Sequence, residues 1–264
     1  MKRTMAMSVV VLALNAASHG IAQQDPGQLY RDALRLFSEH KTTEAIAALQ
    51  RFVELRPKQA EGWRALGVVY AAQRDIVLAV EPFRMACTLD PSLSDACLYY
   101  GRALYLLNRF QSALAVLRGA LEKDPGNAQV HRLMALSYQG LGATNEAGQA
   151  FQQAIRLERG SPADEDPRLD YGVYLFRLGR AEAALAPIEA VLRLHPDGAR
   201  AHLELGCILL ALERLPEAEG HLERAVALDS KSARAHLLLG KTYLRLGKKA
   251  LGEEHLRQGS RTVK

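Results

Sequence analysis

Histidine is the residue type whose spacing in this sequence most suggests chemistry. His202 and His221 are 19 residues apart, and the same pair recurs one period later as His236 and His255. A metal site needs converging ligands and supporting groups, and neither pair has a cysteine or carboxylate set at ligand spacing. Both copies share the sequence Ala-Arg-Ala-His-Leu, so close similarity of two segments explains the recurrence more simply. The sequence therefore predicts no metal ion and no cofactor.

The three cysteines are Cys87, Cys97 and Cys207. Cys87 and Cys97 flank a turn around Asp90 and Pro91, which places them symmetrically and favours a contact between them. A disulfide needs Cα atoms within about 7 Å, whereas helix axes pack about 8–10 Å apart. The sequence therefore leaves two interpretations, a disulfide between Cys87 and Cys97 or two small apolar packing residues.

Catalytic motifs are absent from the sequence. It contains no G-x-S-x-G, no H-E-x-x-H and no G-x-x-x-x-G-K-[ST]. The formal charge is +5, but basic and acidic residues are interspersed rather than gathered in one block or stripe. We therefore predict a protein that is not an enzyme and does not bind nucleic acid.

The N-terminal segment has the order of a secretory signal peptide. A basic start at Lys2 and Arg3 precedes an apolar run from Met5 to about Ala17, and small residues lead up to Ala22. The apolar run is shorter than the roughly 20 residues that a membrane-spanning helix needs. We predict a signal peptide over residues 1–22, an exported (periplasmic or secreted) protein, and no membrane span after cleavage.

The sequence repeats itself with a period of 34 residues. One step is longer because an acidic, proline-bounded turn between units four and five carries three extra residues. The period predicts a single domain over residues 23–264, built from seven helical hairpins that bury their apolar faces against one another. The predicted units are 26–59, 60–93, 94–127, 128–161, 165–198, 199–232 and 233–264.

Apolar and small residues recur at helical spacing within each unit. In the second unit these positions are Trp63, Leu66, Gly67 and Tyr70, followed by Ala79, Phe83, Ala86 and a closing Pro91. The pattern resembles the tetratricopeptide repeat (TPR) family, and the resemblance covers essentially the whole chain after the signal peptide. It implies an all-α fold, a right-handed α-solenoid of seven helix-turn-helix repeats, in an exported protein of the bacterial type.

The resemblance also implies where a partner would bind. In this family the first helices of successive units line a concave groove, and the inward positions carry apolar residues with cations spaced among them. The predicted groove residues are Arg64, Leu98, Arg102, Tyr105, Arg132, Gln139, Phe176, Arg200, Arg234 and Lys241. We predict a scaffold that binds a peptide or helix of acidic and apolar character. On this interpretation, reversing the charge of Arg102 and Arg132 weakens binding and leaves stability unchanged.

Two alternatives remain open. The last helix, with Leu251 and Leu256, could dock on a second copy of the chain and make the protein a self-assembling structural element. The protein could instead be an accessory subunit of an envelope enzyme or a secretion complex whose catalytic chain is separate.

Overall fold

The computed structural model describes residues 25–93 and 95–262, and the predicted signal peptide lies outside them. The described residues contain fourteen α-helices and one short 3-10 helix, Ala163–Glu165. In chain order, α1 to α14 are Pro26–Ser38, Thr42–Leu55, Ala60–Ala72, Ile76–Leu89, Ala96–Leu106, Phe110–Lys123, Ala128–Gly140, Thr144–Leu157, Pro167–Arg177, Ala181–Leu194, Ala199–Ala211, Leu215–Leu228, Ala233–Arg245 and Lys249–Thr262. The all-α prediction is confirmed, and seven helix pairs agree with the seven predicted repeats. None of the described helices is long and apolar enough to cross a membrane.

The chain divides into two compact units, Met1–Ala103 and Leu104–Lys264. Each has its own apolar core, because each hairpin buries one face against its neighbour. Leu49, Phe52 and Leu66 lie in the core of the first unit. Ile188 and Leu205 lie in that of the second.

A residue in the left-handed conformation ends the first helix of every hairpin. Its φ lies between 56° and 78° in all seven, at His40, Arg74, Asn108, Gly142, Gly179, Glu213 and Gly247. The backbone N–H of the following residue bonds back across the helix end, as from Asp75 to the Tyr70 carbonyl at 3.0 Å. This closure satisfies carbonyls that the helix end would otherwise leave unpaired. These left-handed positions therefore recur along the chain with the 34-residue period of the sequence.

Small residues set the distance between the two helices of a hairpin. A Cβ added at Gly67 would lie 2.6 Å from the ring of Phe83, which therefore occupies the space above the glycine. Phe83 and Ala79 are buried in the same cluster. The repeated Gly and Ala positions thus allow close approach, and the helix surfaces left over face outward.

The longer turn between α8 and α9 is held by its own acidic side chains. The Glu158 carboxylate accepts hydrogen bonds from the backbone of Gly160 and Ser161, each at 2.6 Å. Asp166 is fully buried, caps α9 at the N–H of Arg168 and pairs with the Arg168 guanidinium at 2.6 Å. The acidic side chains of the turn therefore hold its backbone in place. The cap formed by Asp166 sets the residue at which α9 begins.

Candidate partner-binding face

The predicted groove residues of the first compact unit are Arg64, Leu98 and Arg102. Arg64 is half-buried, and its Nη1 lies 2.9 Å from a carboxylate oxygen of Asp95. Leu98 is half-buried and Arg102 is exposed. Arg64 therefore joins two successive repeats.

The position of Arg132 differs from the prediction that this residue is available to a partner in the groove. Only 8% of this residue is exposed, and its Nε lies 2.6 Å from the Asp170 carboxylate, which is itself 5% exposed. The Arg132 guanidinium also donates to the Gln129 side chain at 3.2 Å. A buried cation paired in this way is not presented to a partner, and a glutamate in its place would put two carboxylates together. The prediction that reversing its charge leaves stability unchanged is therefore wrong.

Two further arginines form ion pairs between repeats. Arg200 donates to the second Asp170 oxygen at 2.7 Å and to the Asp164 carbonyl at 2.9 Å. Arg234 donates to both oxygens of Glu204, at 2.5 and 2.9 Å. Their side chains remain 37% and 53% exposed. These two cations therefore link the first helices and still present donors to solvent.

Sequence reasoning missed the acidic partners in this arrangement. Asp170 and Glu204 are one period apart, and each lies 30 residues before the arginine that pairs with it, Arg200 or Arg234. That spacing is visible in the sequence. It could have identified the ion pairs, since equivalent positions of adjacent repeats lie side by side.

Half-buried apolar residues also lie on the first helices of the second unit. Phe176 and Leu203 pack against its core from the edge. Cys207 is half-buried and close to Arg234, and burial raises the pKa of its thiol. Lys241 is exposed and makes no ion pair with any described residue. We call Phe176, Arg200, Leu203, Cys207, Arg234 and Lys241 the first-helix face, because all lie on α9, α11 and α13.

Tyr105 and Gln139 lie elsewhere in the second unit. The Tyr105 ring is half-buried, with its centroid 5.9 Å from that of Phe110. Gln139 is half-buried on α7. The contacts of these two residues do not link them to the first-helix face.

Cys87 and Cys97 form a disulfide, with Cα atoms 4.7 Å apart. It joins the end of α4 to the start of α5, across the turn at Asp90 and Pro91. Of the two interpretations that the sequence leaves open, the structure has the bonded one. Cys207 is the remaining thiol.

The rings of each histidine pair face one another across a hairpin. The Nδ1 atoms of His202 and His221 are 3.0 Å apart, and those of His236 and His255 are also 3.0 Å apart. Burial lowers the pKa of His221 and of His255, and the neighbouring histidine lowers it further. Among the described residues no group of three or more His, Cys, Asp or Glu converges as a metal site would.

The two leucines of the self-assembly alternative differ in their surroundings. Leu251 is 50% exposed on α14. Leu256 is half-buried, and a Cβ added at Gly240 would lie 2.9 Å from its Cγ. Leu256 therefore helps to close the last hairpin, which leaves Leu251 as the leucine that a second copy could reach.

Comparison with known proteins places these observations in a family. The chain is 26% identical to human intraflagellar transport protein 70A over 176 residues, which is 65% of this chain and 26% of that protein. This chain thus spans about a quarter of the length of that relative. It is 27% identical to the type IV pilus assembly protein PilF of Pseudomonas aeruginosa over 124 residues, 46% of this chain and 49% of PilF. A tetratricopeptide repeat protein of Parabacteroides merdae has the same fold, with a TM-score of 0.70, 14% identity and coverage of 90% and 93% of the two chains.

Family models cover nearly all of the described chain. The TPR domain of cytochrome c-type biogenesis protein H matches residues 27–166, just over half of the chain. A general tetratricopeptide repeat model matches residues 169–233 and 203–259. With seven hairpins of matching period, this chain belongs to the tetratricopeptide repeat family.

Proposed function

We propose that this protein is a non-catalytic scaffold that binds a peptide or helix of a partner protein on its first-helix face, outside the cytoplasm. The observation that carries the proposal is that exposed cations and half-buried apolar side chains occur together on α9, α11 and α13. Phe176 and Leu203 supply apolar area, and Arg200, Arg234 and Lys241 supply donors around it. Interfaces combine these features, a desolvated apolar centre with charged groups at its rim.

The charge of the face sets the chemistry of the partner. Asp170 is already shared between Arg132 and Arg200, and Glu204 is taken up by Arg234. Lys241 adds a further cation, so the face and its ion-pair partners retain net positive charge. An acidic segment with interspersed apolar residues is the complement, because guanidinium groups bind carboxylates in a bidentate manner.

Export is the second part of the proposal. The basic and apolar order of residues 1–22 supports it, and so does the disulfide between Cys87 and Cys97, since disulfides persist chiefly in oxidising compartments. The similarity to a pilus assembly protein supports an assembly in the cell envelope as the setting. The accessory-subunit alternative shares this setting and differs only in requiring a catalytic partner.

Charge reversal at Lys241 tests the face without disturbing the fold. Lys241 is exposed, and Lys241→Glu reverses its charge on the first-helix face. Lys249→Glu makes the same change on α14, where the side chain is 83% exposed and its ion pair with Glu253, at 3.9 Å, is a surface pair of little energetic weight. Crosslinking in the native envelope identifies the partner, and titration measures its affinity for each variant. We expect Lys241→Glu to weaken binding about fivefold, which corresponds to about 1 kcal/mol, and Lys249→Glu to leave it unchanged.

Salt provides an independent check on the same complex. Affinity should fall as ionic strength rises, because exposed charge pairs are screened beyond about 10 Å at 0.1 M salt. Equal affinities for both lysine variants, or affinity that is independent of salt, would rule out the first-helix face as the binding surface.

A further inference from the structure

An aromatic N–H anchors the turn before several of the first helices. The ring nitrogen at the fourth position of the repeat bonds to a backbone carbonyl six residues earlier. The pairs are Trp63 with Pro57 at 2.8 Å, His131 with Pro125 at 3.2 Å, His202 with Pro196 at 2.9 Å, and His236 with Ser230 at 3.1 Å. Histidine thus replaces the tryptophan of the family pattern as a donor, but unlike tryptophan it has a second nitrogen.

The carbonyl bond determines which nitrogen of the first ring carries the proton. A carbonyl oxygen only accepts, so Nε2 of His202 carries the proton and Nδ1 of the neutral ring has a lone pair. That lone pair lies 3.0 Å from Nδ1 of His221, and the ring centroids are 5.2 Å apart. His236 and His255 repeat the arrangement, with the same Nδ1 distance and centroids 5.1 Å apart. Each pair is therefore joined by one N–H···N hydrogen bond, in which the second histidine donates and the first accepts.

This bond limits the number of protons that a pair can hold. The first added proton goes to Nε2 of His221, which lies outside the bond, so the charged ring still donates to His202. A second proton would have to go to Nδ1 of His202, whose lone pair the bond already uses. Two N–H groups and two positive charges would then face each other at 3.0 Å, so the rings must separate.

Separation of the rings acts on the two helices of a hairpin. His202 lies on α11 and His221 on α12, and in the next hairpin His236 lies on α13 and His255 on α14. The carbonyl bond holds the first ring of each pair at the start of its helix, so the second ring moves and loosens the second helix. We propose that the two histidine pairs are pH-sensitive contacts, which join α11 to α12 and α13 to α14 at neutral pH and release them when acid adds a second proton.

Carboxylates from two helices face the first pair. Burial lowers the pKa of His221, and the neighbouring His202 lowers it further. Glu189 on α10 and Glu217 on α12 raise it, but they offset the other two effects only in part. Glu217 also pairs with Arg214 at 2.6 Å, which weakens its attraction for a charged histidine. The surroundings of this pair therefore disfavour even its first proton.

The second pair has similar surroundings. Burial lowers the pKa of His255, its partner ring lowers it further, and Glu254 on α14 and Glu223 on α12 offset these effects only in part. Glu223 also accepts a hydrogen bond at 2.7 Å from Tyr243, whose ring centroid lies 5.5 Å from that of His255. Arg261 lines the surface cleft beside the pair and adds a further positive charge. Both pairs are thus set against the accumulation of protons.

The direction of the pH effect follows from counting protons. In an opened hairpin each histidine takes up a proton near its ordinary pKa of about 6.5, whereas a closed pair holds one proton at most. The opened state therefore binds more protons in acid. The closed hairpins keep their full stability above about pH 6.5 and lose it as the pH falls below that value.

The two pairs lie on helices that also carry the first-helix face. Leu203 and Cys207 are on α11, and Arg234 and Lys241 are on α13. Acid should therefore weaken partner binding on that face. This consequence rests on the proposed function, whereas the opening of the hairpins does not and can be measured on the protein alone.

Amide hydrogen exchange at pH 7 and pH 5 tests the proposal. After correction for the intrinsic exchange rate, we expect the opening equilibrium of α11–α12 and of α13–α14 to rise about tenfold at pH 5, as for loss of one charged hydrogen bond. His255→Ala should abolish the rise in α13–α14, because the first histidine can then be protonated without breaking a bond. The double variant with His221→Ala should abolish it in both hairpins.

The chain offers a matched control in the fourth repeat. His131 makes the same carbonyl bond, but Ala150 stands 19 residues later, where the other two repeats have histidine. The opening of α7–α8 should therefore not rise at pH 5, and Ala150→His should introduce a rise of about tenfold. A rise that persists in the double alanine variant, or one in the unchanged chain that is no larger in α11–α14 than in α7–α8, would overturn the proposal.

Proton resonances of the imidazole rings provide a measurement that needs no variant. Followed from pH 7 to pH 5, each closed pair should take up one proton at most. Two protons on either pair while its hairpin remains protected from exchange would contradict the proposal, because the hydrogen bond would then not limit protonation.

Discussion

Arg132, Asp170 and Arg200 connect three first helices through one buried carboxylate. Asp170 is 5% exposed and pairs with Arg132 at 2.6 Å and with Arg200 at 2.7 Å. The Arg132 side chain is 10% exposed and the Arg200 side chain 37%. The same carboxylate therefore neutralises one buried cation and orients one cation that solvent can reach. Structure and proposed binding depend here on a single side chain.

Removing that carboxylate should be far more costly than removing its exposed partner. Asp170→Ala leaves Arg132 as an unpaired buried cation, and we expect the free energy of unfolding to fall by about 3–5 kcal/mol. Arg200→Ala removes a partly exposed cation and leaves Asp170 paired with Arg132, so neither buried charge is left alone and about 1 kcal/mol should be lost. Urea denaturation followed by circular dichroism measures both. Similar losses of unfolding free energy in the two variants would show that leaving Arg132 unpaired costs no more than removing Arg200.

The side of the first helices on which a residue lies could be predicted from the sequence, but the ion pairs between these residues were harder to predict. The inward positions were assigned by the repeat period, which says where a side chain lies along a helix and not how deep it is. The period therefore places Arg132 on the groove side, whereas the structure buries it against Asp170, 38 residues later and beyond the irregular turn. Spacing alone does not decide whether Cys87 and Cys97 are bonded, because it cannot distinguish a Cα–Cα distance of 4.7 Å from one of more than 7 Å.

The turn inside each hairpin is the element that repeats most faithfully. Three of the seven left-handed positions are glycine and four are not. A side chain is strained in this conformation by about 1–2 kcal/mol, because its Cβ crowds the following carbonyl oxygen. The hairpins at Arg74 and Gly247 therefore share one backbone geometry but differ in strain.

Exchanging the residue types at these turns should shift stability in opposite directions. Arg74→Gly should raise the free energy of unfolding, by about 1 kcal/mol at most, because relief of strain is partly offset by the greater freedom of glycine in the unfolded chain. Gly247→Ala should lower it by about 1 kcal/mol, although no atom lies within 4 Å of the added Cβ. Gly220→Ala is the control, since its Cβ also meets open space but the residue is helical, and it should be stabilising. Thermal unfolding distinguishes the three. If Gly220→Ala were destabilising instead, the added Cβ would be meeting atoms of the protein, and a loss of stability in Gly247→Ala could not be assigned to the backbone conformation.

At the scale of the element, the sequence predicted the hairpins well because their period is strict. Helix starts at Ala60, Ala128, Ala199 and Ala233 are the first residues of the predicted units. In the third and fifth units the helices begin at Ala96 and Pro167, two residues inside the predicted unit. In the fifth unit the buried Asp166 caps the helix and sets its start. A local capping contact therefore overrides the period at this position.

The two compact units differ in covalent chemistry, which bears on where the whole molecule resides. The first unit has the Cys87–Cys97 disulfide, and the second has the single thiol of Cys207. Closing a loop over a sequence separation of 10 residues should stabilise the folded state by about 2–3 kcal/mol, by restricting the unfolded chain. That stabilisation is available only in an oxidising compartment. If the protein is exported, as proposed, the first unit therefore gains this stabilisation.

Mass spectrometry of the protein isolated from its own cells tests export and the disulfide together. If the protein is exported, the chain should begin at Gln23, and a thiol reagent added after unfolding without reductant should label Cys207 alone. After reduction all three cysteines should react, and the free energy of unfolding should fall by about 2–3 kcal/mol because the loop is no longer closed. Cys207→Ala is the control, since it should abolish labelling before reduction and leave two reactive thiols after it. Labelling of all three cysteines without reductant, together with an intact N-terminus, would place the working protein in a reducing compartment and remove the basis for an extracytoplasmic partner.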